Sequence, residues 1–289
     1  MVLLALVVMH SQPVFAETGP VSVVDDTGAN VSIDAPAQRI ISLSPHATEL
    51  LFEIGAGTHI VGAVDYSDYP LAAKDIPRVG SANRLDIEKI VMLAPDLIVA
   101  WHSGNSVQDM KTLSRFNIPV FYSEPRKLDD IATNMDRLGS LTGFVNQANK
   151  QADAARSRLS VLKRTNRSRR RVPVFFQLWH QPLMTVNRDH IISDIMRTCG
   201  ASNIFAGMAG LTPVVSREAV IQRQPEAIVA TSTDMASLKA EWGNYKKIPA
   251  VASGSYFLLS PDLLHRQGPR MIRGAEQFCR VMEEVRGER

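Results

Sequence analysis

The sequence predicts an α/β protein of two similar lobes with parallel sheets, joined by one long helix and enclosing a ligand cleft. Three observations carry that expectation. Short β-branched runs alternate with helical segments along the chain, the pattern of parallel sheets. The stretch Glu88 to Ala100, EKIVMLAPDLIVA, is matched by Glu218 to Ala230, EAVIQRQPEAIVA. Glu88 and Glu218, Pro95 and Pro225, and farther on Ile118-Pro119-Val120 and Ile248-Pro249-Ala250, all stand 130 residues apart. A constant offset across a helix, a strand and the next strand signifies a repeated lobe. Between the two copies, Leu128, Ile131, Met135, Leu138, Leu141, Val145, Ala148, Ala152, Ala155, Leu159 and Leu162 recur every three or four residues. That period predicts one amphipathic helix from about Leu128 to Arg164, roughly 50 Å long. The alternative is two helices broken between Gly139 and Gly143.

The resulting plan is a leader over 1–16, a first lobe over 17–126, the linking helix over 127–168 and a second lobe over 169–289. With 289 residues, 45% hydrophobic and 21% charged, the chain has enough apolar content for two cores. A net charge of +3 gives no argument for a nucleic-acid or membrane partner. The one dense basic run, Arg164 to Arg171, falls where the linking helix ends and complements its dipole. Met1 to Ala16 is an apolar run closed by Val14-Phe15-Ala16, the form of an export signal, although no Lys or Arg precedes it. No other stretch reaches the ~20 apolar residues of a membrane span, and no cysteine near the cleavage point suggests a lipid anchor. Cys199 and Cys279, the only cysteines, are expected to pair in an exported chain, with two separate thiols as the alternative.

Taken in order, Val21 to Ile33 alternates around Asp25-Asp26-Thr27-Gly28 and predicts a β-hairpin, an ornament at the entry to the lobe. Arg39 to Leu43 is a strand, and Ser44-Pro45-His46-Ala47-Thr48-Glu49 is a helix N-terminus with a capping hydroxyl and a first-turn proline. Ile60 to Val64 is a strand running into Asp65-Tyr66-Ser67-Asp68-Tyr69-Pro70. Ile87 to Leu93 is a helix, and Leu97 to Trp101 a strand leading to His102. In the second lobe Val172 to Leu178 is a strand ending at Trp179-His180. Ile191 to Cys199 and Ala219 to Arg223 are helices, and Ala227 to Thr231 is a strand. Ser255 to Ser260 leads into Pro261-Asp262-Leu263-Leu264-His265-Arg266, and Pro269 to Val285 is the last helix.

In open parallel sheets, ligands bind beyond the C-terminal strand ends. Those ends carry His46, Tyr66, Trp101, His102, Trp179, His180, His265 and Arg266. Aromatic rings collected there can each bury ~150 to 250 Å² against a flat ligand. Phosphate-binding glycine loops, G-x-S-x-G and H-E-x-x-H are absent, so no catalytic residue is assigned. A rival reading joins His46, His102, His180 and His265 in a metal-binding module or exported metalloenzyme.

The segments Arg39 to Leu50, Asp65 to Pro70, Ala94 to Trp101, Val215 to Glu218 and Asp262 to Arg270 together resemble the periplasmic cobalamin-binding proteins of ABC importers. The resemblance covers essentially the whole chain after the leader. It implies two Rossmann-like lobes on a backbone helix, a periplasmic location, a monomer, and cobalamin (vitamin B12) or a related corrinoid as cargo, with no catalytic cofactor. It places Tyr66, Trp101 and the loop Asp262, Leu263, Leu264, His265 and Arg266 at corrinoid-contacting positions; Trp179 and His46 are local additions to that ligand set. It places Glu88 and Glu218 at the glutamates that dock on permease arginines, and Cys199 and Cys279 at the family's disulfide. Ala82, Leu178 and Thr212 stand where the family has cleft aromatics. Haem- and ferric-siderophore-binding relatives share the Ser-Pro…Glu-Leu and Ala-Pro-Asp motifs and are the alternatives for the ligand.

Overall fold

The computed structural model describes residues 19–232 and 234–287; the export signal expected over 1–16 lies outside the described residues. The N-terminal lobe contains the hairpin β1 (Val21–Val24) and β2 (Asn30–Ile33), then β3 (Ile40–Ser42), α1 (Pro45–Glu53), β4 (Ile60–Ala63), the short hairpin β5 (Gly80–Ser81) and β6 (Arg84–Leu85), α2 (Ile87–Met92), β7 (Leu97–Trp101), α3 (Val107–Leu113) and β8 (Val120–Ser123). Two helices follow, α4 (Leu128–Thr142) and α5 (Val145–Asn166). The C-terminal lobe has β9 (Val172–Gln177), the hairpin β10 (Trp179–His180) and β11 (Leu183–Met184), α6 (Ile191–Thr198), β12 (Ala201–Asn203), α7 (Arg217–Arg223), β13 (Ala227–Thr231), α8 (Met235–Trp242), α9 (Pro249–Ser253), β14 (Tyr256–Leu259), α10 (Pro261–Leu264) and α11 (Met271–Arg286).

The repeat is real in three dimensions. One sheet has the order β4-β3-β7-β8 and the other β12-β9-β13-β14, so the two lobes share one parallel topology. The 130-residue offset holds through α2 and α7, capped by Asp86 and Ser216, and through β7 and β13. It extends to the backbone: Ala94 and Gln224, each just before a proline, both adopt positive φ, 45° and 47°. The third sequence match fails. Val120 opens strand β8, whereas Pro249-Ala250 opens helix α9 and the equivalent strand β14 begins only at Tyr256.

Period-two alternation decides what each sheet touches. Ile40, Leu97 and Val99, with Val174, Phe176, Ala227 and Val229, face one continuous core that also takes up Leu138, Leu141, Ala152, Leu159 and Phe278. The intervening residues face separate outer cores, Ile41, Ile98 and Ala100 in one lobe and Phe175, Ile228 and Ala230 in the other. The strands β3, β7, β9 and β13 are buried on both faces, which is why they read as unbroken apolar runs.

The single helix expected over 128–164 is broken. Gly143 takes a left-handed φ of 80° and ends α4, and α5 turns back along it. A Cβ on Gly139 would lie 2.2 Å from the Ala148 side chain, so glycine is what allows this close return. Arg156 pairs with Asp136, and Lys163 with Asp129, which fixes the two helices as an antiparallel pair. Their apolar period continues unbroken in sequence because both bury the same shared core. Both helices reach between the lobes: α4 packs on α1 and its Leu128 N–H donates to Asp194 Oδ2 in α6, while α5, the longer at 22 residues or ~33 Å, packs on α6 and α11.

The entry hairpin is more than the ornament expected. Asp26 accepts hydrogen bonds from Glu124 N and Asn134 Nδ2, and pairs with Arg137 at 2.7 Å, tying the hairpin to β8 and α4. Cys199 and Cys279 form a disulfide between the end of α6 and α11, closing a loop of 80 residues. In the chain-entropy model such a closure contributes roughly 4 kcal/mol. Among the described residues no helix is long and apolar enough to cross a membrane.

Candidate ligand-binding site

Most of the residues expected in the cleft stand on loops that leave the C-terminal ends of the two sheets, and the structure separates them into exposed, supporting and latching groups. Tyr66 follows β4 with φ of 63° and is 79% exposed. Trp101 ends β7, half-buried. Its backbone N–H donates to Asn105 Oδ1 at 2.7 Å, and a Cβ on Gly104 would fall 1.9 Å from the indole, so only glycine leaves room for this ring position. Trp179 opens the β10–β11 hairpin at 53% exposure, with its indole N–H donating to Gln181 O at 3.2 Å. His102 and His180 are exposed at the same strand ends, each ring against an aromatic neighbour, Tyr122 and Trp179 respectively. Asp262 is exposed on α10 and Leu263 half-buried.

His46 and Leu264 do not belong to an open surface. His46 is buried, edge-on to Trp101 at 5.7 Å, with Nε2 3.2 Å from Ser123 Oγ: it supports the tryptophan from behind. Leu264 lies in the shared core. The sequence places His46 at a helix N-terminus just past a strand and Leu264 in the loop after the last strand; a residue in either place can face the cleft or the core, and burial decides which. His265 keeps an exposed edge, and its Nε2 lies 2.8 Å from Thr231 Oγ1.

Arg266 is committed to a contact between lobes. Its Nη1 reaches Asp68 at 2.6 Å and Glu49 at 3.4 Å, and Nη2 lies 3.7 Å from Asp262. Arg270 adds a two-pronged contact to the same Glu49, Nη2 to Oε1 at 2.7 Å and Nε to Oε2 at 3.0 Å, and stacks its guanidinium 3.9 Å over Tyr69. Glu49 and Tyr69 belong to the N-terminal lobe, and both arginines to the C-terminal one. The hydrogen bond from Arg266 holds the Asp68 carboxyl below its usual range. Glu49 and Arg270 were not in the site expected from sequence. Glu49 falls on the apolar-periodic side of α1, where a carboxylate is a signal in itself, since a buried charge needs a partner. Two buried side-chain polar atoms lack a partner among the described residues, Trp101 Nε1 and Gln267 Oε1, and both belong to these loops.

The C-terminal lobe holds a chamber of about 950 Å³ beside Trp179. Its side includes an ordered chain in which Trp242 Nε1 donates to Gln177 Oε1 at 2.7 Å, Gln177 Nε2 to Glu241 Oε2 at 2.8 Å, and Arg217 Nη2 to Glu241 Oε1 at 3.1 Å. Glu88 and Glu218 are each the second residue of their helix and both are exposed. Glu218 borders the chamber, and its carboxyl is held low by its own backbone N–H first, then by Ser216 and Arg217.

Among the described residues no group of three or more His, Cys, Asp or Glu is placed to hold a metal ion. The four-histidine site fails because His46 is turned into the core and His265 is engaged by Thr231. Burial lowers the His46 pKa to about 4, opposed by its Ser123 hydrogen bond. Burial also lowers His190 to about 4, reinforced by Arg126 and His265. Between about pH 6.5 and pH 4 the unfolded chain binds protons that the folded one does not, so stability falls as pH falls through that window. Each histidine is expected to cost about 2 kcal/mol between pH 7 and pH 5. Urea unfolding of the parent and of His46→Gln at both pH values isolates one histidine from carboxylates such as Asp26, whose burial-raised pKa acts in the opposite sense. An identical pH slope in the two would reject the assignment.

Two parallel α/β lobes of one topology, linked by helices, with aromatic and charged loops at the strand ends, define a two-lobed binding protein. The family model for periplasmic binding protein matches residues 40–263, and the chain belongs to that family. It is 35% identical over 258 residues to the vitamin B12-binding protein of Vibrio campbellii, covering 89% of this chain and 93% of the relative. Its fold matches the crystal structure of the periplasmic vitamin B12 binding protein BtuF of Vibrio cholerae, with a TM-score of 0.81, 34% identity, and coverage of 87% of this chain and 98% of that one. The heme-binding protein RhuT of Roseiflexus sp. RS-1 shares the fold at a TM-score of 0.74 over 86% of this chain and 99% of its own, with 19% identity.

Proposed function

We propose that the protein is a periplasmic receptor that captures cobalamin or a related corrinoid and hands it to an inner-membrane ABC permease, acting as a monomer and without catalysis. The observation that carries this reading is the 34–35% identity, over nearly the whole chain, to relatives named for vitamin B12 binding, whereas the heme-binding neighbour above stands at 19%. The site agrees chemically. A corrinoid is broad, nearly neutral and rimmed with amides, and Tyr66, Trp101 and Trp179 offer ring faces while Asp262 and His265 offer hydrogen-bonding groups. Burying apolar area of that size contributes about 25 cal/mol per Å² before ordering costs.

Titration calorimetry of the chain from residue 17 with cyanocobalamin is the test, and a single site with a dissociation constant below ~1 μM is expected. Absence of heat would reject the corrinoid. A Soret shift with haemin but no cobalamin binding would transfer the assignment to haem, for which exposed His102 and His180 are the available axial ligands.

A further inference from the structure

We propose that the chamber beside Trp179 receives the base and sugar of a nucleoside substituent standing out of the corrin plane. The proposal rests on the corrinoid reading above and adds a subsite to it. All the described residues around the chamber come from the C-terminal lobe. A flat macrocycle held between two lobes contacts both, whereas a space bounded by one lobe suits a group that leaves the ring at a steep angle. Corrinoids carry such groups on the faces of the ring, an axial nucleoside above or a nucleotide base below, and both present a heteroaromatic base on a sugar.

The walls have the chemistry for that group. Trp179 has one ring edge fixed by its hydrogen bond to Gln181 O and is otherwise half exposed, a rigid stacking platform. Glu241 and Arg217 are held in place by the Gln177 chain, and Ser232 adds a hydroxyl, so sugar hydroxyls and ring nitrogens find both donors and acceptors. Charge narrows the choice. Arg217 is the only lysine or arginine among the described lining residues, and it is already paired with Glu241, while Asp234 adds a further carboxylate. An anionic appendage such as a propionate or a catecholate would meet no free cation there.

Calorimetry with three pure probes tests this: cobinamide, which lacks the lower nucleotide, cyanocobalamin, which has it, and adenosylcobalamin, which has both nucleosides. The parent is expected to bind at least one nucleoside-bearing probe about tenfold or more tightly than the probe lacking that nucleoside. Trp179→Ala, which also removes a ring face from the corrin site, and Ser232→Trp, which adds an indole to the chamber wall, are each expected to erase that preference; Ser232→Trp alone is expected to leave cobinamide binding within about twofold. Loss of the cyanocobalamin-over-cobinamide ratio assigns the chamber to the lower nucleotide; loss of the adenosylcobalamin-over-cyanocobalamin ratio assigns it to the upper one. No preference in the parent, a preference that survives both variants, or an equal loss for all three probes would overturn the chamber assignment with the corrinoid reading intact. Failure of all three probes to bind the parent would instead remove the corrinoid reading. Urea midpoints of both variants equal to the parent's confirm that folding is not what is read.

Discussion

Replacing Glu49 by alanine is expected to destabilise the protein by about 3 to 5 kcal/mol, far more than any surface ion pair would, because it removes the buried carboxylate that Arg270 pairs with and takes one carboxylate from Arg266. The Glu49 side chain is 2% exposed, and those of Arg266 and Arg270 are 15% exposed. Each arginine then keeps only part of its partners: Arg266 retains Asp68 and Asp262, and Arg270 retains the face of Tyr69. An exposed pair is worth at most ~1 kcal/mol, so the size of the loss distinguishes a desolvated latch from a solvated contact. Glu49→Gln keeps the shape and one acceptor oxygen and should lose less. The decisive measurement is a double-mutant cycle on Glu49→Ala and Arg270→Ala by urea unfolding. A coupling above ~1 kcal/mol supports the latch, and a coupling near zero rejects it. The latch joins the two lobes at one point, so the same variant should also raise hydrogen exchange in α1 and at the N-terminus of α11 ahead of the rest of the fold.

How much of this was legible in the sequence depended on the range of the physics involved. The sheets could be read because strands buried on both faces are continuous apolar runs, and β7 and β13 carry the same burial pattern as well as the same spacing. The break between α4 and α5 could not be decided. A helix pair packing the same core gives the same three-to-four period as one rod, and the choice turns on the left-handed conformation of Gly143 and the return permitted by Gly139. The repeat was legible where both lobes need the same helix–proline–strand junction. It misled at Ile248-Pro249-Ala250, where proline at the first position of α9 imitates the proline that precedes β8. Of the candidate site, the exposed rings were legible from their place after strands. The roles of His46 and of the Glu49–Arg270 pair were not, since they arise from contacts 77 and 221 residues apart in sequence.

The second large effect expected is on transport, through Glu88 and Glu218. We propose that they are the contacts through which the lobes dock on a permease, and the pseudo-symmetry supports this reading: each is the second residue of an equivalent helix, exposed, with an equivalent cap before it. A carboxylate in the first turn is also favoured by the helix dipole alone, by about 0.3 to 1 kcal/mol, which is all that a purely structural role would supply. Charge reversal separates the two. Glu88→Arg should cost no more stability than that, yet it sets like charges against permease arginines, where such juxtaposition costs several kcal/mol and slows encounter. Glu88 stands apart from the chamber that Glu218 borders, so Glu88→Arg should bind cyanocobalamin as the parent does while uptake falls steeply. The Glu88→Arg, Glu218→Arg double variant should abolish uptake in cells that depend on this receptor, and restoring glutamate at either position should recover part of it. If the double variant supports uptake as well as the parent, the docking assignment is wrong and both glutamates do no more than begin their helices.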